Sequence, residues 1–121
     1  MSERMIFTCT YGKEEPERAT LPFVAANVAA TAGQQATVVC SIEAVWSGTI
    51  GGAEGIAAAG LPPLAQLYTE FVDQGGEVWL CQSCVKPRGI TEDKLAKGAS
   101  IVGAAKVIEE LAAGAKAVNF A

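Results

Sequence analysis

The sequence predicts a three-layer α/β protein, a mostly parallel sheet of about five strands flanked by helices. Short apolar runs of strand length alternate with stretches of about 10 to 15 residues whose apolar positions recur at helical spacing, which is the mark of βαβ units. The run Val38-Val39-Cys40 is continuous rather than alternating, as expected of a strand covered on both faces. Gly or Pro stands where the first three helices should start or stop. With no repeat and no linker, residues 1–121 are expected to form a single domain.

The first strand is expected over 4–10 (RMIFTCT), and Gly12 with its charged neighbours breaks it. Pro16 suits the first turn of a helix whose apolar residues Leu21, Val24, Ala25, Val28 and Ala32 share one face, and Gly33 ends it. Glu14, Glu15 and Glu17 favour the positive end of that helix. A second strand spans 35–41 (QATVVCS). A helical turn at 43–46 then leads into 48–55, which its glycines make a loop. That cluster lacks both the Gly-Lys-Ser/Thr ending of a phosphate loop and a GxGxxG spacing, so a mobile loop near the active edge is expected. Pro62 and Pro63 open a helix through Leu64, Leu67, Tyr68, Phe71 and Val72, closed by Gly75-Gly76. The strand Glu77-Val78-Trp79-Leu80 runs directly into Cys81. Thr91 resembles an N-cap opening TEDK, 100–102 is a short strand, 104–113 (AAKVIEELAA) is a helix before Gly114, and 116–120 is a terminal strand.

Half of the residues are hydrophobic, 13 are Gly, and only 18% are charged. So apolar a surface fits subunit contacts in a symmetric homo-oligomer better than a lone monomer. No stretch approaches the ~20 apolar residues of a membrane span, and the apolar run in MSERMIFTCT is too short for a signal peptide. A cytoplasmic location without membrane contact is expected. The net charge of −4 argues against a nucleic-acid partner.

The chemistry concentrates at Cys81-Gln82-Ser83-Cys84. The chain has no histidine, and four cysteines without a secretion signal read as free thiols or a reactive pair, not a disulfide framework. Lys86 and Arg88 follow closely. Cations beside a thiol at a turn favour the thiolate, which is the nucleophile, so Cys81 and Cys84 are the candidate catalytic residues and Lys86 and Arg88 the candidate thiolate stabilisers. A strand-end cysteine also packs well as a small hydrophobe. Cys9, Cys40 and Cys81 fall at or near the carboxyl ends of the first three strands, the edge at which parallel sheets place their sites; whether the side chains meet depends on which faces they take. Tyr11, Trp46 and Trp79 are candidates to line a thiol pocket.

Three uses of the thiols compete. Zinc needs four ligands, and without histidine it would have to recruit Cys9 and Cys40, so no metal and no cofactor are expected. A dithiol redox role fits the C-x-x-C spacing, although only 37 residues follow Cys84, too few for a thioredoxin fold, and Pro87 suits poorly the helix that such a motif starts. A persulfide carrier, in which the Cys81 thiolate takes a donor's outer sulfur, needs one nucleophile only.

The stretch Gly75-Gly76-Glu77-Val78-Trp79-Leu80-Cys81, with Cys84 and Lys86-Pro87-Arg88-Gly89-Ile90 after it, resembles the signature of the DsrE/DsrF-like (TusD-like) family of sulfur-relay proteins. Glu43-Ala44-Val45, Pro63-Leu64, residues 95–99 and Ala117-Val118-Asn119-Phe120 extend the resemblance over nearly the whole chain. It implies a flavodoxin-like sheet, assembly into trimers or hexamers, and a sulfur-carrying cysteine at Cys81 that works between donor and acceptor proteins. A non-catalytic binding or regulatory subunit is the alternative from another functional class.

Overall fold

The computed structural model describes residues 3–120. Five strands form one sheet, β1 (Arg4–Cys9), β2 (Gln35–Cys40), β3 (Glu77–Cys81), β4 (Ala99–Val102) and β5 (Lys116–Val118). Their order is β4-β3-β2-β1-β5 and every neighbouring pair is parallel. The expected α/β class holds. The order differs from the 2-1-3-4-5 of flavodoxin itself, because the chain steps in one direction from β1 to β4 and then crosses the whole sheet to place β5 beside β1.

Helices α1 (Pro16–Thr31) and α2 (Leu64–Asp73) pack together and on the first three strands, whereas α4 (Ala104–Ala112) meets the opposite face at Val39, Cys81 and Val102. This division follows from handedness. Right-handed crossovers that step one way put their helices on one face, and the single step back puts α4 on the other. Between these layers Phe7, Cys9, Val38, Cys40, Val78 and Leu80 point to the α1/α2 side, where Phe23 meets Phe71 edge-on at 6.2 Å and Tyr68 at 5.9 Å. Asn27 is buried among them yet satisfied: its amide donates to the Phe23 and Leu67 carbonyls at 2.9 and 3.0 Å, and its oxygen accepts from Gln74.

The glycines end α1 and α2 as expected, with Gly33 at φ +87° and Gly75 at φ +90°. Several boundaries differ. Pro22 lies inside α1 and is buried, an interruption that the apolar spacing conceals. After Thr91 only a 3-10 turn, Glu92–Lys94, forms: the Thr91 hydroxyl donates to the Asp93 carboxylate instead of capping a backbone N–H, and that bond holds Asp93 below the usual carboxylate range. The turn after β2 is longer than expected, a 3-10 helix over Ile42–Gly48. The glycine loop is a chain of tight turns, with Gly52 N–H on the Thr49 carbonyl at 2.9 Å and Ile50 N–H on that of Lys94 at 2.8 Å. Gly52 is obligatory there, since a Cβ would sit 1.7 Å from the Trp46 carbonyl oxygen.

Candidate functional site

The carboxyl ends of β3 and β4 form the crevice of this sheet. β3 leaves toward the α1/α2 side through the four-residue helix α3 (Gln82–Val85), whose Val85 enters the main core, while β4 leaves through Gly103 into α4 on the other side. Connections that diverge from adjacent strand ends leave a gap between them, the position at which α/β sheets bind ligands. Cys81 is the last residue of β3 and the N-cap of α3, so it stands at that gap with its backbone fixed by the sheet.

Register decides what each cysteine faces. Cys9 pairs with Cys40 and Cys40 with Leu80, so one row of side chains, Cys9-Cys40-Leu80, points to the α1/α2 side. Cys81 is one residue further and takes the opposite face. There it enters a pocket of about 210 Å³ with Val39, Ser41, Val102, Gly103, Ala104, Val107 and Ile108. Cys84, one turn on, is half-buried and packs against the main core. The two members of the C-x-x-C pair therefore have different surroundings.

Cys9 and Cys40 are 0% exposed, and the Cys9 sulfur lies 3.6 Å from the Ala19 carbonyl oxygen. Its hydrogen bond with Cys40, then burial, holds the Cys40 thiol well above its ordinary range. Such a thiol is a packing group. Among the described residues no three Cys, Asp or Glu side chains converge as a metal site requires.

The two cations behave differently. Arg88 is half-buried and committed: Nε donates to Glu43 Oε2 at 2.8 Å and NH1 to the Cys84 carbonyl at 3.0 Å. It ties the turn after Cys81 to the segment after β2. Lys86 is exposed, and neither cation lines the Cys81 pocket. Of the candidate aromatics, Trp79 lies on the Cys81 face beneath Lys106, whose Nζ is 5.6 Å from the ring centroid; Tyr11 carries Arg18 at 5.2 Å; and Trp46 lines a separate hollow with Lys13 and Glu43. None of the three lines the Cys81 pocket.

Two features carried no sequence signal. One is Ile42, a β-branched residue at φ +57° just past the end of β2, where the left-handed conformation costs about 1–2 kcal/mol. The other is Ser41, which lines the Cys81 pocket. A helix over 104–113 was legible, but not that its Val107 and Ile108 would line a pocket with a cysteine.

The model of the DsrE/DsrF-like family matches residues 3–120. The chain belongs to the DsrE/DsrF-like family. Among solved structures, the YchN protein of E. coli has the same fold, with a TM-score of 0.81 at 17% identity over 98% of this chain and 99% of that one. A protein of unknown function from Methanobacterium thermoautotrophicum, MTH1491, gives a TM-score of 0.69 at 15% identity over 98% and 99%. Among curated proteins none matches the chain significantly. This DsrE/DsrF-like chain thus shares a whole domain fold with both structures at identities too low to carry residue roles across. No helix among its described residues is long and apolar enough to cross a membrane.

Proposed function

We propose that this DsrE/DsrF-like protein carries sulfane sulfur as a persulfide on Cys81, as one station between a sulfur donor and an acceptor in the cytoplasm. The observation that supports it most is that Cys81 ends β3 in the crevice and faces a pocket, while Cys9 and Cys40 are sealed in the core. The step is a thiol exchange. The Cys81 thiolate attacks the outer sulfur of a donor R–S–SH; the Cys81 S–S bond forms, the donor S–S bond breaks, and R–S⁻ leaves with the electron pair. Transfer onward repeats this on an acceptor thiolate and restores Cys81. Lys86 and Arg88 add positive charge to the loop that follows, and Arg88 also holds that loop to Glu43.

Cys84 serves as a resolving thiol in this scheme: its attack on the Cys81 persulfide would expel sulfide and leave a Cys81–Cys84 disulfide. Intact-mass analysis after incubation with a persulfide donor tests the assignment. Cys81→Ser should gain no mass of one sulfur atom, and Cys84→Ser should load and retain its sulfur longer than the parent. Loading that survives loss of Cys81 but not of Cys84 would reverse the roles, and a parent protein that no donor loads would be a binding subunit.

We also propose a closed homo-oligomer, a trimer or hexamer. Supporting it, Val28 on α1 and Ile50 in the glycine loop are 67% and 73% exposed. Light scattering that gives a monomer at micromolar concentration would exclude it.

A further inference from the structure

The pocket at Cys81 is walled by hydrocarbon. Val39, Val102, Ala104, Val107 and Ile108 supply its surface, Ser41 brings a single hydroxyl, and no charged side chain lines it. The cations nearest in sequence lie outside this lining, and Lys86 among them is exposed. Lys106 lies over the Trp79 ring and within 3.9 and 3.6 Å of Glu109 and Glu110, and Arg88 lies on Glu43. A dianion such as thiosulfate, or a donor with carboxylates, would give up part of its hydration against this half-buried wall without meeting a cationic side chain in it. A short aliphatic chain faces no such cost and removes apolar wall from water. At about 210 Å³ the space admits a few methylenes and excludes a peptide segment.

We infer that the small-molecule donor of this site is a short-chain alkyl persulfide with no charged group on its chain, bound with that chain along Val102, Val107 and Ile108 and its outer sulfur at Cys81. This rests on the persulfide-carrier function of Cys81 proposed above and names the donor class for it. The exchange is the one already written, with R an alkyl group: Cys81–S⁻ and R–S–SH give Cys81–S–SH and R–S⁻, with no net oxidation and no other reactant. Chemical reactivity at the outer sulfur varies little along a series of unbranched alkyl groups, so a dependence on chain length reports contact with the wall.

Loading of Cys81 in the native protein would be followed by intact mass with ethyl, propyl and butyl hydropersulfides released in situ, and with glutathione hydropersulfide and thiosulfate as charged donors. The second-order rate should rise about fourfold for each added methylene, the factor that corresponds to about 0.8 kcal/mol per buried CH₂. Both charged donors should be slower than the butyl compound. Val107→Thr, which puts a hydroxyl on that wall, should flatten the chain-length dependence by lowering the butyl-to-ethyl rate ratio. Equal rates across the alkyl series, or charged donors as fast as butyl, would overturn the donor class and leave Cys81 as a carrier. Failure of every donor to load native Cys81 would remove the carrier function and this inference with it.

Discussion

Replacing Arg88 by Met keeps most of the aliphatic stem and removes both hydrogen bonds that pin the loop after Cys81. The pair with Glu43 is short, 2.8 Å, but the two side chains are 26% and 40% exposed, so solvent screens it to about 0.5–1 kcal/mol. The bond to the Cys84 carbonyl at 3.0 Å adds about 1 kcal/mol, because Cys84 lies in a helix of four residues, too short to satisfy its own carbonyls. Together the loss should be about 1.5–2 kcal/mol, which for a chain of this length lowers the melting temperature by about 6–8 °C. A double-mutant cycle with Glu43→Gln isolates the pair and should return about 0.5–1 kcal/mol of coupling. Since Arg88 holds the carbonyl of Cys84, the variant should expose Cys84 to a disulfide reagent faster. A melting temperature within 2 °C of the parent, or a coupling energy near zero, would refute the view that Arg88 anchors this loop.

Three further outcomes are expected. Ellman titration of the native protein should count two thiols, Cys81 and Cys84, and two more only in denaturant, since Cys9 and Cys40 are fully buried; a third thiol reacting at the native rate would contradict the packing. Burial, then the Cys40 thiol, pushes the Tyr68 hydroxyl well above its ordinary value of 10.0, so the unfolded chain loses this proton first as pH rises, and stability should fall above about pH 10. Tyr68→Phe should cost about 1 kcal/mol at pH 7 through the lost bond to the Lys97 carbonyl, and that gap to the parent should narrow above pH 10; a constant gap would refute the assignment. Gly76→Ala places a Cβ 2.4 Å from the ring of Phe71, which is fully buried, so it should destabilise by about 1–3 kcal/mol in chemical denaturation, whereas Gly51→Ala, with open space around it but φ +77°, should cost about 1 kcal/mol.

Much of this architecture is local in origin and therefore legible in the chain. Val38-Val39-Cys40 reads as a strand covered on both faces, and Val38 and Cys40 are buried while Val39, on the α4 side, is half-buried; Gly33 and Gly75 take the left-handed conformations that helix ends demand. Cys81 at a strand end follows from Glu77–Leu80 in the same way. What was not legible depends on pairing between distant segments. Arg88 and Glu43 are 45 residues apart, and nothing near Arg88 says that its charge serves a carboxylate and a carbonyl before any thiol. Ile42 is hidden for another reason: its φ of +57° opposes the preference of a β-branched residue, so propensity points away from it.

The pocket shows most clearly how a site can be local in its residue and global in its chemistry. Cys81 is visible in the sequence, but its environment is set by two facts that are not, the strand order and the register. The order sends the β3 exit to one face and the β4 exit to the other, which opens the crevice. The register aligns Phe7 with Val38 and Val38 with Val78, and since that row fills the α1/α2 core, β3 cannot slide by one residue without driving Trp79 and Cys81 into the space held by Val78 and Leu80. Core packing on one face of the sheet thus fixes the direction of a thiol on the other. Substitutions at Val78 or Leu80, which never touch the pocket, should therefore alter the reactivity of Cys81 only when they disturb the register, and volume-conserving ones should leave it unchanged.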